Sequence, residues 1–253
     1  MKKTALRRSK ILEELESSGQ VNVAELSKEF QVSEVTIRND LANLERNKLL
    51  VRAHGGAFKT NTLAVHVAER KKTNLEAKKA IGRAAAELIV EGDSIILDSG
   101  TTTLEVSKNI GNFERLSVIS NALDIINNLA SSENIEVIVP GGFLRKFSMS
   151  LVGPLAEKNF KQVHCNKLFL GVDGFKSDHG IYTYNMEEAY LNQLMIEVAE
   201  EVIVVADSSK FKKIGFAFIA GFSKIHKVIT DNGIEEEFIK MLQRNNVEVI
   251  IAN

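Results

Sequence analysis

The chain has one cysteine among its 253 residues, Cys165. A lone thiol excludes an internal disulfide and a zinc site built on cysteine ligands, and it reads as buried and inert. The five histidines show no metal-ligand spacing, so neither a metal nor another cofactor is expected. Long apolar runs are missing as well. No stretch approaches the roughly 18 uninterrupted apolar residues of a membrane helix. None follows the basic start Met1–Arg8 as a secretory signal requires. No membrane contact is expected, and the cytoplasm is the default location. Net charge is also nearly absent, at -1. That balance hides an asymmetry: residues 1–60 hold 11 Lys and Arg against 8 Asp and Glu, whereas the remainder holds 21 against 25. A basic segment on an acidic body suits a polyanionic partner for the smaller part. The 44% hydrophobic and 26% charged residues that are present suit a globular protein with a real core, long enough for two unequal domains.

Apolar spacing divides the chain. Residues 4–18 read as an amphipathic helix with Leu6, Ile11, Leu12 and Leu15 on one stripe, ended by Ser17-Ser18-Gly19. A short link, Val21-Asn22-Val23, leads to a second helix over 24–30. Gln31-Val32-Ser33 makes a turn, and Ser33 is placed to cap a third helix over about 34–47. In that helix Ile37, Leu41 and Leu44 recur at spacings of four and three. Residues 48–58 read as a hairpin turning at Gly55-Gly56. The polar stretch 60–75 carries little pattern and reads as a linker between a first domain, 1–59, and a second, 76–253. In the second, a helix over 76–90 opens an alternation of helices with short apolar strands. The strands fall at 94–98, 117–120, 136–139, 167–171, 201–206, 227–230 and 247–251. Such strands imply an α/β fold with a mostly parallel sheet covered on both faces. Met186 and Met195 are assigned to its core, and Phe211, Phe216, Phe218 and Phe222 to the core first or else to an oligomer contact.

A short helix, a tight turn and a second helix with a polar outer face form a helix-turn-helix. The major groove admits one helix, whose first turns must carry donors for base edges and phosphates. Ser33, Glu34, Val35, Thr36, Arg38 and Asn39 occupy those turns, off the Ile37-Leu41-Leu44 stripe. Arg38 suits guanine or phosphate, Asn39 suits adenine or phosphate, and the Ser33 and Thr36 hydroxyls suit phosphate. Arg52, His54, Gly55 and Gly56 would form a wing tip against the backbone or the minor groove. Asp40 would repel phosphate and reads as an internal ion-pair or capping partner. A three-helix module for protein contacts is the alternative. The run Val32–Leu41 with Leu44-Glu45, and the run Arg52–Ala57, resemble the N-terminal module of the DeoR family of bacterial repressors. Many of its members have Arg-Arg-Asp or Arg-Lys-Asp where Arg38-Asn39-Asp40 stands here. The resemblance implies a winged helix-turn-helix that binds double-stranded operator DNA.

Asp98-Ser99-Gly100-Thr101-Thr102-Thr103 lies between a strand and a helix, where hydroxyls and backbone N–H groups can cradle a phosphate. A plain turn uses the same residues. Ser120-Asn121, Pro140-Gly141-Gly142, Gly171-Val172-Asp173-Gly174 and Asp207-Ser208-Ser209-Lys210 also follow apolar strands. Open α/β sheets bind ligands beyond their C-terminal strand ends. This series resembles the DeoR C-terminal domain across 76–253, which is related in fold to ribose-5-phosphate isomerase and glucosamine-6-phosphate deaminase. The resemblance implies a parallel-sheet sensor domain for a phosphorylated sugar, with Ser99, Gly100, Thr101, Thr102 and Thr103 around the phosphate and Asp98 in the same effector site. Lys210 would add a cation or a sugar contact, and Asn121, Gly142, Asp173 and Glu188 would line the sugar. Arg145 would pair with phosphate or with a surface carboxylate. A homo-oligomer, dimer or tetramer, is expected, because symmetry places two recognition helices on repeated or inverted half-sites.

The competing class is a sugar-phosphate isomerase or deaminase with an accessory nucleic-acid-binding domain, using Asp173 and Glu188 as acid and base. Between its acidic pair the isomerase carries a Lys-Gly-Gly-Gly-Ala run; here His179-Gly180-Ile181-Tyr182-Thr183-Tyr184-Asn185 stands instead. Without that lysine the site suits binding without turnover, and no catalytic residue is expected. A pure interaction scaffold would leave five polar loops without a role.

Overall fold

The computed structural model describes residues 2–47, 49–53, 55–59, 69–111, 113–177, 179–213 and 215–253. The chain divides into two compact units, Met1–Glu69 and Arg70–Asn253. In the first, α1 (Lys2–Ser18), β1 (Gln20–Asn22), α2 (Val23–Glu29) and α3 (Glu34–Arg46) precede a hairpin of β2 (Leu50–Ala53) and β3 (Gly56–Lys59). Ile11, Leu15, Leu26, Ile37, Leu41 and Leu44 form its core. Leu6, expected on the stripe of α1, is 63% exposed; the packed part of that helix begins at Ile11. The expected link at 21–23 is mostly strand. β1 pairs antiparallel with β3, in the order β1-β3-β2. Burial of Val21 favours this pairing, which also demands a residue without a side chain on the opposite strand. A Cβ on Gly56 would lie 2.0 Å from the Val21 carbonyl oxygen. Gly55 turns the hairpin at φ +80°, a left-handed conformation that glycine adopts without steric cost.

The second unit runs α4 (Leu75–Ala86), β4 (Ser94–Leu97), α5 (Thr101–Lys108), β5 (Leu116–Ser120), α6 (Leu123–Leu129) and β6 (Ile135–Ile138). There follow β7 (Phe143–Arg145), β8 (Ser150–Val152), α7 (Pro154–Phe160), β9 (Cys165–Gly171), β10 (Gly174–Lys176) and β11 (Gly180–Thr183). The chain closes with α8 (Met186–Val198), β12 (Ala199–Val205), β13 (Ala217–Ala220), β14 (Lys227–Asp231), α9 (Glu236–Arg244) and β15 (Glu248–Ala252).

Seven strands, ordered β15-β14-β12-β9-β4-β5-β6 and all parallel, make the central sheet. They are the seven that the apolar runs predict. Side chains alternate across a strand, so each strand except β6 at the edge feeds two cores. Ile96, Leu168, Leu170 and Val204 pack with Phe160, Met195 and Leu242 of α7, α8 and α9. On the other face Ile95, Leu97, Phe169 and Ile203 pack with Ile81, Val106 and Ile125 of α4, α5 and α6. Each fully buried side chain of this kind contributes about 1.5–3 kcal/mol. Met195, Phe211 and Phe222 are buried as expected, but Met186, Phe216 and Phe218 are exposed. Met186 opens α8, and Phe218 is the exposed residue of β13, with its ring edge-on to that of Tyr182.

The strand order grows outward from β4 through β5 to β6 and, in the opposite direction, from β9 through β12 and β14 to β15. The reversal between β4 and β9 opens a crevice at the C-terminal strand ends. The end of the expected linker is packed into this unit. Lys71 Nζ lies 2.9 Å from Asp124, and the Lys78 ammonium donates to the Arg70 and Thr73 carbonyl oxygens at 2.6 and 2.7 Å. Residues 60–68 lie outside the described residues.

Candidate functional site

In the first unit, the Ser33 hydroxyl accepts the Thr36 N–H at 3.2 Å and starts α3. With Ile37, Leu41 and Leu44 turned inward, Ser33, Glu34, Val35, Arg38 and Asn39 are exposed and Thr36 is half-buried. The Arg38 guanidinium donates to Glu34 at 2.5 Å, both partners about half exposed. A solvated pair of this kind is worth about 1 kcal/mol or less, so a phosphate or a guanine edge can replace Glu34. Asp40 is buried and accepts from Arg7 and Arg8 at 2.6 and 2.7 Å. It is the internal partner its charge predicts, and it ties α1 to α3. Arg52 is exposed and donates through its backbone and its Nε to Glu45. Gly55 is exposed at the turn, whereas Gly56 is buried; the approach of β1 explains Gly56. His54 lies outside the described residues.

The second unit gathers its polar loops at the crevice. Gly100 precedes α5 with extended backbone and no side chain caps the helix. The first N–H groups of an α-helix have no partner within it, and they carry the positive end of its dipole. Ser99, Gly100 and Thr101 are half-buried beside that end. The Thr103 hydroxyl, expected on a ligand, donates instead to the Gly100 carbonyl oxygen at 2.9 Å and is fully buried; Thr102 is buried as well. Asp98 is buried at the end of β4, where it accepts the Ser99 and Gly171 N–H groups. Burial first, and then the neighbouring Glu188 carboxylate, hold its carboxyl well above the ordinary carboxylate range.

Glu188 in turn accepts from Arg145 at 3.2 Å and from the Ser150 hydroxyl at 3.4 Å. Arg145 therefore meets a carboxylate, a largely buried one of the crevice and not one at the surface, with Phe147 under its guanidinium. The Asn121 amide donates to the Leu151 carbonyl oxygen at 3.1 Å, while its own buried carbonyl oxygen has no partner. Gly142 has φ +121°, and a Cβ there would lie 2.6 Å from the Val152 carbonyl oxygen. Packing accounts for that glycine.

Across the crevice, Asp173 accepts from Arg70 at 3.2 Å, Thr183 at 3.0 Å and the Tyr184 N–H at 3.3 Å, with Lys210 Nζ at 3.7 Å. Burial would raise its pKa, but Arg70, Lys210 and these hydrogen bonds outweigh it and lower it. Asp207 accepts from Asn74 at 2.8 Å and from Ser209 at 2.5 Å. Its pKa is likewise lowered against the pull of burial, by these bonds and by Lys210 and Lys78. Burial lowers the pKa of Lys210, opposed by Asp173. It lowers that of Lys78 to about 8. Arg70 and Asn74 escape a reading of the sequence that takes 60–75 as patternless linker; Lys78, inside the expected helix, carries a signal of its own, standing on the Ile81-Ala85 stripe of α4, three and seven residues before its apolar members. Among the described residues no group of three His, Cys, Asp or Glu could hold a metal, and no helix is long and apolar enough to cross a membrane.

A winged helix-turn-helix followed by an α/β unit with a polar crevice defines a DNA-binding transcriptional regulator that carries its own small-molecule sensor. The chain belongs to the DeoR family: the DeoR-like helix-turn-helix domain matches residues 7–62 and the DeoR C terminal sensor domain matches residues 73–232. It is 39% identical over 98% of its length to a provisionally named aga operon transcriptional repressor of Escherichia coli O157:H7, of which it covers 94%. It is also 35% identical over 98% of its length to the transcriptional repressor AccR of Agrobacterium fabrum, of which it covers 97%. These relatives are regulators, and the chain is a regulator rather than an enzyme. Ribose 5-phosphate isomerase A of Methanocaldococcus jannaschii aligns over 55% of each chain at 16% identity and a TM-score of 0.41, too slight a likeness to reason from.

Proposed function

We propose that the chain is a homo-oligomeric repressor of a carbohydrate-utilisation operon, released from its double-stranded operator by a phosphorylated sugar. The observation that carries the ligand reading is the uncapped N-terminus of α5 at the crevice, a ready site for a phosphate. The unpartnered Asn121 carbonyl oxygen is an acceptor that suits a sugar hydroxyl or amine. The likeness to an aga operon repressor makes amino-sugar phosphates the first class to test. A thermal-shift screen of phosphorylated sugars tests the reading, because a ligand that binds only the folded state stabilises it by about 2.7 kcal/mol at a hundredfold its Kd. No shift with any member of the series would sink it.

On the DNA side, Arg38→Ala is expected to weaken binding to the operator by about 1–3 kcal/mol while sparing the ligand-induced thermal shift. Anisotropy titrations at fixed salt check this, since phosphate contacts make affinity salt-dependent. An unchanged affinity removes Arg38 from the interface.

A further inference from the structure

Three cations, Arg70, Lys78 and Lys210, surround two carboxylates, Asp173 and Asp207, and each of the three acts electrostatically on the others. The margins of this cluster balance, with Glu105 near Lys78 and Lys213 near Lys210. Its interior therefore holds one positive charge more than its carboxylates offset. Lys78 is committed to two backbone carbonyl oxygens and is buried. Arg70 is not so committed. Its guanidinium has five N–H donors; among the described residues it contacts Asp173, at 3.2 Å, and it is 38% exposed. Asp173 stands just past β9, whose last residue, Gly171, lies against Gly100 at the start of α5. A partly exposed guanidinium and an excess of positive charge within this cluster thus border the crevice that the proposed function assigns to an anion.

We propose that Arg70 is a ligand-contacting residue, which bridges Asp173 and the bound anion and so pins the first residues of the sensing unit when the crevice is filled. This rests on the phosphosugar reading of the crevice and adds its regulation. The pinned segment is where the chain arrives from the DNA-reading unit. It is already held by Lys71 on Asp124, Asn74 on Asp207 and the Lys78 contacts to its backbone. A second acceptor for Arg70 adds a charge-assisted hydrogen bond, among the stronger kinds, and relieves repulsion among the three cations. Occupancy and order in residues 70–78 are then linked, and linkage is reciprocal.

The test uses the full chain with inorganic phosphate as the probe, in wild type, Arg70→Ala, Arg70→Lys and, as a control outside the crevice, Lys212→Ala. Calorimetry is expected to give Arg70→Ala an affinity for phosphate at least tenfold below wild type. Arg70→Lys should fall between them and Lys212→Ala should match wild type. Hydrogen exchange of residues 70–78 should slow on saturation with phosphate in wild type and stay unchanged in Arg70→Ala. Equal phosphate affinity in wild type and Arg70→Ala overturns the proposal, as does a wild-type segment that phosphate leaves unprotected. Wild type that takes up no phosphate at all sinks the underlying ligand reading instead.

Discussion

Replacing Gly56 by alanine is expected to unfold the DNA-reading unit and leave the sensing unit standing. The added methyl would sit 2.0 Å from the Val21 carbonyl oxygen, where no atom fits, so β1 must leave β3. Its departure uncovers Val21 and Val23, 6% and 3% exposed in the folded unit, each worth about 1.5–3 kcal/mol when buried. The ladder between the strands goes with them. A unit ending at Glu69 has a total stability of roughly 3–10 kcal/mol at about 0.05–0.15 kcal/mol per residue. The expected loss consumes most of it. Calorimetry should show the reader's unfolding transition displaced or missing, and operator binding should vanish. The sensing unit's transition should remain, with its shift in ligand. Wild-type operator affinity in this variant would falsify the steric account of Gly56.

The second large effect is on pH dependence. Burial holds the Lys78 ammonium at a pKa of about 8, against an ordinary 10.5. Below pH 8 both folded and unfolded chains carry the proton, and the burial penalty is fully present. Between pH 8 and 10.5 the unfolded chain still holds a proton that the folded chain has released, so stability rises with pH. The slope is about 1.4 kcal/mol per pH unit, or roughly 3 kcal/mol over the window. Lys78→Met removes this contribution. Urea unfolding at a series of pH values should show wild type gaining about that much on the variant between pH 8 and 10.5. Parallel curves would mean that the amine is not buried as described.

Much of this architecture was legible because burial writes a period into the sequence. The strand runs of the sheet are continuous and apolar because helices cover both faces, and Ile37, Leu41 and Leu44 mark the inward side of α3. Even the inward turn of Asp40 followed from its charge, once α3 was read as facing phosphate. The short antiparallel pieces β7, β8, β10, β11 and β13 were not legible. Three or four residues between glycines and polar turns are too few for a period to emerge. In the crevice, the loops that follow strands could be placed from the strand ends, but the partners of their side chains could not. Thr103 closes its own helix turn, Gly142 serves packing, and Arg70 arrives from a segment with no pattern. The last of these pairs residues more than a hundred positions apart, Arg70 and Asp173, which no local signal records.

The reversal of strand order between β4 and β9 also bears on how such a protein diversifies. The loops that meet there leave the sheet from separate strands, and their carboxylates Asp98, Asp173 and Asp207 each stand one or two residues past a strand end. The hydrophobic side chains of the two cores lie mainly on the strands and helices behind them. Insertions and substitutions in these loops can therefore remodel the chemistry of the crevice without repacking the interior. A lineage built on this sheet is free to change the metabolite it answers to while keeping the scaffold that reports it.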